Sequence, residues 1–196
     1  LVICPLFGLS NAGAGNVIPH LETVDCWFGV EKEWPNINCY YMHVPEQHER
    51  STSAEIAFPV VRFKSKQLVA GRSPVLHLGA GGPGAPMYLD SADVVYAHFL
   101  ALDGFSVDSG RDLYLIDPRG SGMSNPLLTC QTYVDNVTDR WSRTMSRREE
   151  WESIDADYLQ CIEQFRSEGT DFSTYSSSSV AEDIELLRKA VGVDQW

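Results

Sequence analysis

The sequence predicts an α/β fold, a mostly parallel sheet with flanking helices. Three observations carry this expectation. Pro74-Val75-Leu76-His77-Leu78 is a short apolar run that ends in glycines. Asp112-Leu113-Tyr114-Leu115-Ile116-Asp117 is a second run, flanked by charge. Between them, Val95, Phe99 and Leu102 recur at helical spacing within residues 91–103. Strand, helix, strand is a βαβ unit, whose crossover joins parallel strands, and antiparallel hairpins do not explain its length. Both runs end in special loops at their C-terminal ends, the edge where open α/β sheets place their ligands.

Composition bounds the function. A length of 196 residues fits one domain, or one domain and a fragment of another. Hydrophobic residues at 43% and charged residues at 21% describe an ordinary globular chain. Fifteen Lys plus Arg against 27 Asp plus Glu give a net charge of −12. That balance argues against a nucleic-acid partner, which needs clustered cations, and against an anionic membrane surface. No apolar run approaches the roughly 20 residues of a membrane span.

The elements follow in order. Residues 1–14 open with an uncharged apolar run and reach Ala12-Gly13-Ala14, a small-x-small pattern. They read as the back half of a secretory signal peptide and predict a secreted or periplasmic location. Residues 15–50 read as an irregular extension around Trp27, Trp34-Pro35 and Pro45. Cys4 would leave with the leader, and four cysteines remain, an even number that suggests two disulfides. Three pairings are open; Cys26–Cys39 with Cys130–Cys161 closes the shortest loops and is the expected one. Cys26, Cys39, His43 and His48 could also be read as a zinc quartet. Zinc knuckles space their cysteines more closely, so no metal is expected.

The main body spans residues 51–196. Ile56, Phe58 and Val60 alternate along Glu55–Phe63, and Pro59 removes a ladder donor, which predicts an edge strand. Residues 126–172 form an excursion. Within it Trp151, Ile154, Tyr158, Cys161, Ile162 and Phe165 predict one buried helical face, with Cys161 pointing toward Cys130. The last helix is marked by Ser179 and Glu182 as a capping box, by Val180, Ile184, Leu187 and Val191 as a stripe, and by Gly192 as its stop. Asn136-Val137-Thr138 fits a glycosylation sequon.

Two glycine-rich loops bear the chemistry. Gly79, Gly81 and Gly84 formally match a dinucleotide fingerprint. However, Pro83 removes a donor that a pyrophosphate cradle needs, and Asp117 lies 38 residues beyond Gly79 rather than about 20. Glycines at a strand end also let backbone N–H groups face an open cavity, as an oxyanion hole requires, with Gly81 and Gly82 as the donors. In the second loop, an Arg just past a strand end and beside an Asp pins structure by charge-assisted hydrogen bonds. Asp117, Arg119, Gly120 and Gly122 are therefore expected to be structural. His77 is expected to be a packed histidine, and His20, His43, His48 and His98 have no serine and carboxylate placed for a relay.

Taken together, Gly81-Gly82-Pro83-Gly84 and Asp117-Pro118-Arg119-Gly120-Ser121-Gly122-Met123-Ser124 resemble two motifs of the α/β-hydrolase superfamily. The closer resemblance is to the proline iminopeptidase and tripeptidyl aminopeptidase family of serine exopeptidases, whose members carry H-G-G-P-G and D-Q-R-G-x-G-x-S. Ala80 and Pro118 depart from these patterns and point toward the secreted tripeptidyl branch. An early cysteine pair, a later Cys...Cys excursion and the stretch Tyr175–Gly192 extend the resemblance from about residue 24 to the end. The resemblance implies an exported serine hydrolase that releases short peptides or proline from free N-termini, with a peptide substrate and no cofactor. No G-x-S-x-G occurs anywhere in the sequence, Gly8-Leu9-Ser10-Asn11-Ala12 being the nearest decoy, so nucleophile, acid and base are expected to be absent. The chain is then the N-terminal half of an α/β-hydrolase fold, cut before the nucleophile strand and inactive alone. Esterase chemistry, a non-catalytic secreted module and, least of all, dinucleotide binding are the alternatives.

Overall fold

A computed structural model describes residues 15–29, 37–78, 85–102 and 110–196. Its five strands are β1 (His20–Val24), β2 (Ile37–Pro45), β3 (Glu55–Phe63), β4 (Val75–His77) and β5 (Leu113–Ile116). They form one sheet in the order β1-β2-β3-β5-β4. Its helices are α1 (Ala92–Leu102), α2 (Gln131–Ser142), α3 (Arg147–Ser167) and α4 (Ser177–Val191), with a 3₁₀ turn at Phe172–Thr174. The proposed leader, residues 1–14, lies outside the described residues.

The expected βαβ unit is present, since β4 and β5 are parallel neighbours joined through α1. The expectation of a mostly parallel α/β-hydrolase half is overturned. β1 with β2, β2 with β3 and β3 with β5 all pair antiparallel, leaving β4 with β5 as the one parallel pair among the described strands. The reason is chain connectivity. Residues 46–54 join β2 to β3, fewer than the dozen or more that a parallel crossover needs. Residues 15–50, read as irregular, contain two of these strands, and the Cys26–Cys39 disulfide ties the turn between them to β2.

Pro59 also misled. β3 is interior, between β2 and β5, rather than at an edge. Ala57 exchanges both backbone bonds with Asn125, so alternate residues 57, 59 and 61 face the β5 side. The β5 ladder ends where Ile116 meets Val60. The donor that Pro59 lacks therefore falls between that ladder and the Asn125 bridge, where no strand needs it.

Both faces of the sheet are covered. Val61, Phe63, Leu113 and Leu115 face Val95 and Phe99 of α1, where the Phe63 and Phe99 rings stack 4.6 Å apart. Val60, Tyr114 and Ile116 face Leu187 and Ile184 of α4. β5 is thus buried on both sides, and its unbroken apolar run needs no alternation. The α4 stripe holds, and Gly192 ends the helix in the left-handed region at φ 74°. Its start differs: Ser176, not Ser179, is the N-cap, and its hydroxyl accepts from the Ser179 N–H. Ser176→Ala should cost about 1 kcal/mol in a urea titration, whereas Ser179→Ala should stay within about 0.5 kcal/mol.

The excursion is a helical hairpin of α2 against α3, closed by the Cys130–Cys161 disulfide. Its inward face is rotated from the expected one. Cys161 is buried, but Trp151 is 55% exposed and Tyr158 45%. Asp157 points inward instead, because α2 offers it Arg140 and Asn136.

Candidate functional site

β2 and β5 both run antiparallel to β3, so they point the same way, and β4 runs with β5. The C-terminal ends of β2, β4 and β5 therefore share one edge of the sheet, from which the two motif-bearing loops depart. Gly81 and Gly82 lie outside the described residues, as do Gly79, Ala80, Pro83 and Gly84. The described flanks of that loop are Leu78 and Ala85–Met87.

The second loop is fully described, and each of its motif residues has a physical occupation. Asp117 follows β5 directly and is completely buried. Its Oδ1 accepts the Met87 N–H at 2.5 Å, and its Oδ2 accepts the Met123 N–H at 3.2 Å. One carboxylate thus holds the flank of the first glycine loop and the body of the second. Burial pushes the Asp117 carboxyl above its ordinary value, against the amides of Met87, Met123 and Leu89, while nearby Asp90 adds to the rise. Gly122 sits at φ 55°, and a side-chain carbon there would overlap the Asp117 carboxylate. Gly120 sits at φ 75°, with the Tyr175 ring 2.9 Å from where a Cβ would stand. Ser121 and Ser124 are buried and donate their hydroxyls to the carbonyls of Pro118 and Pro126.

Arg119 joins three segments. Its Nε and Nη2 each donate to an oxygen of Asp183 on α4 at 2.6 Å. Its Nη1 donates to the carbonyls of Glu46, just past β2, and of Thr174, both at 2.8 Å. The His48 Nε2 lies 2.7 Å from Nη2 and 3.0 Å from Asp183 Oδ1. An arginine is always charged and carries five donors in a fixed fork, which is what this convergence of carboxylate and carbonyls requires. Beside it the Tyr175 hydroxyl donates to Glu46, and burial pushes both groups up from their ordinary values. A polar cleft of about 340 Å³ opens here, lined in part by Glu46, His48, Arg50, Asp171 and Glu182.

The other candidates sort plainly. Cys26 and Cys39 are bonded to each other, with sulfurs 2.08 Å apart, which removes them from any zinc quartet. Among the described residues no group of three or more His, Cys, Asp or Glu could hold a metal ion. His43 contacts Glu22 and Glu55, at 3.0 and 2.9 Å, and its ring stacks on that of His20. His77 is half-buried on β4, its imidazole pushed down by burial and then by His98, whose ring centre is 5.6 Å away. The sequon nitrogen of Asn136 donates to Asp157 at 2.9 Å. No described helix is long and apolar enough to cross a membrane.

Sequence reading missed the partners: Met87, Glu46, Thr174, His48 and, above all, Asp183. One signal was available. Asp183 lies three residues past Val180 on the inward stripe of α4, and a carboxylate at such a position needs a buried cation. A scan against protein-family models finds no match for the chain, and a search of curated proteins finds none either.

Proposed function

We propose that the chain is part of an exported serine hydrolase that removes short peptides or proline from free N-termini. One observation carries the reading. The strands that precede the two motifs are parallel neighbours, and Asp117 of the second motif hydrogen-bonds the flank of the first. This arrangement supports Gly81 and Gly82 as backbone donors to an oxyanion at the sheet edge. The two disulfides support an oxidising compartment. On this reading the serine, histidine and acid of the reaction belong to polypeptide outside these 196 residues, since no G-x-S-x-G occurs in them.

A fluorophosphonate probe tests this division. The 196-residue chain should stay unlabelled, and the protein that joins it to a nucleophile-bearing segment should label at one serine. Stoichiometric labelling of the chain itself would overturn the division. In the joined protein, Gly82→Pro should lower kcat on a peptide p-nitroanilide by about 10²–10³-fold with KM little changed, whereas Gly82→Ala keeps the donor. Turnover of p-nitrophenyl esters without peptide amides would make the protein an esterase instead.

A further inference from the structure

The second loop contains a buried carboxylate that no step of acyl transfer uses. Asp117 is completely buried, yet among the described residues it pairs with no cation; its oxygens are occupied by backbone N–H groups. These donors come from two separate stretches of chain: Met87 (with Leu89) precedes α1, and Met123 lies in the loop after β5. Gly122 keeps clear the space the carboxylate occupies, because any side-chain carbon there would overlap it. We propose, on the basis of the hydrolase reading above, that Asp117 is a positioning residue: it ties Ala85–Met87, the described flank of the first glycine loop, to the second glycine loop through Met87 and Met123.

The ionised carboxylate can accept on both oxygens, from Met87 on Oδ1 and from Met123 on Oδ2. Once protonated, one oxygen becomes a hydroxyl and a poor acceptor, so the two-sided clamp slackens. The groups facing Asp117 are Asp90, which raises its carboxyl further, and Tyr41 of β2, whose hydroxyl is itself pushed up by burial and by Asp117. The carboxyl value is raised in the folded state, so its stability contribution is full below the unfolded value and is lost as pH rises through the folded one. Acidification through this range should therefore favour folding at Asp117 while loosening the loops. A merely structural carboxylate would not separate stability from turnover in this way.

The clamp is read by amide NMR on the ¹⁵N-labelled 196-residue chain. The Met87 and Met123 resonances should titrate together, with one midpoint above the usual carboxylate range of about 4. Asp90→Asn should leave that shared titration in place, and Asp117→Asn should abolish it. Separate midpoints, or no titration, would overturn the proposal, and this wild-type measurement decides even if Asp117→Asn fails to fold. In the joined hydrolase, Asp117→Asn should lower kcat by about 10–100-fold with KM within about twofold, and should remove an acid limb sharing the NMR midpoint. If the amides titrate together but kcat and its acid limb do not change, Asp117 is structural only and the proposal fails. If no serine labels in the joined protein, the hydrolase reading fails and takes the positioning role with it, while the amide titration still reports the clamp.

Discussion

Arg119→Ala should destabilise the chain by about 3–5 kcal/mol, read as a lowered urea midpoint with an unchanged slope. The guanidinium is 1% exposed and the Asp183 carboxyl 3%, so solvent cannot replace the lost partner. The variant strips the buried Asp183 carboxylate of its two-point guanidinium partner, leaving it only the His48 imidazole at 3.0 Å, and leaves two carbonyls, of Glu46 and Thr174, without their donor. Arg119→Lys should recover only part of the loss, because an ammonium cannot make the two-point contact with Asp183. The cost belongs to the orphaned partner rather than to the pair. Replacing both residues by apolar ones, as in Arg119→Met with Asp183→Leu, should therefore cost less than Arg119→Ala alone. If the double variant is the worse of the two, the network contributes net stability and this account of it is wrong.

What the sequence made legible was local. The helix of α1, the stop at Gly192 and the parallel β4–β5 pair each follow from signals within a few tens of residues. Both disulfides follow from the same rule of shortest loops. Where pairing depends on distant partners, the reading failed. Tyr40, Tyr41, Met42 and His43 of β2 show no two-fold alternation, because each face of that strand is largely covered. Pro59 looked like an edge marker because its missing donor was counted without the side it would have faced. Asp183 and Arg140 were not picked out as buried, although each sits at an inward helical position and is matched by a partner on another element. For the site, the glycines of the second loop were legible as glycines. The reasons for them were not, since the Asp117 carboxylate and the Tyr175 ring reach Gly122 and Gly120 only in the folded chain.

Among the described α-helices, α2 and α3 have the least apolar support from the sheet, and this sets the second large effect. No residue of either helix belongs to the two core clusters over the sheet. What α2 and α3 bury is Arg140, Asp157 and Cys161. The Arg140–Asp157 pair, with Asn136 and Ser153 attached, is a polar interior whose net worth is small once desolvation is counted. The covalent bond must then carry much of the stability. Cys130–Cys161 spans 31 residues, against 13 for Cys26–Cys39, and chain entropy assigns them about 3.7 and about 3 kcal/mol. Removing the longer bridge with Cys130→Ser and Cys161→Ser should lower hydrogen-exchange protection across residues 131–167 by about 10²–10³-fold. Amides of β3 and β5 should hold theirs, because α1 and α4 cover both faces of the sheet without help from the hairpin. An equal loss of protection in β5 would mean that the hairpin and the sheet unfold as one unit, and that the polar interior transmits more than its composition suggests.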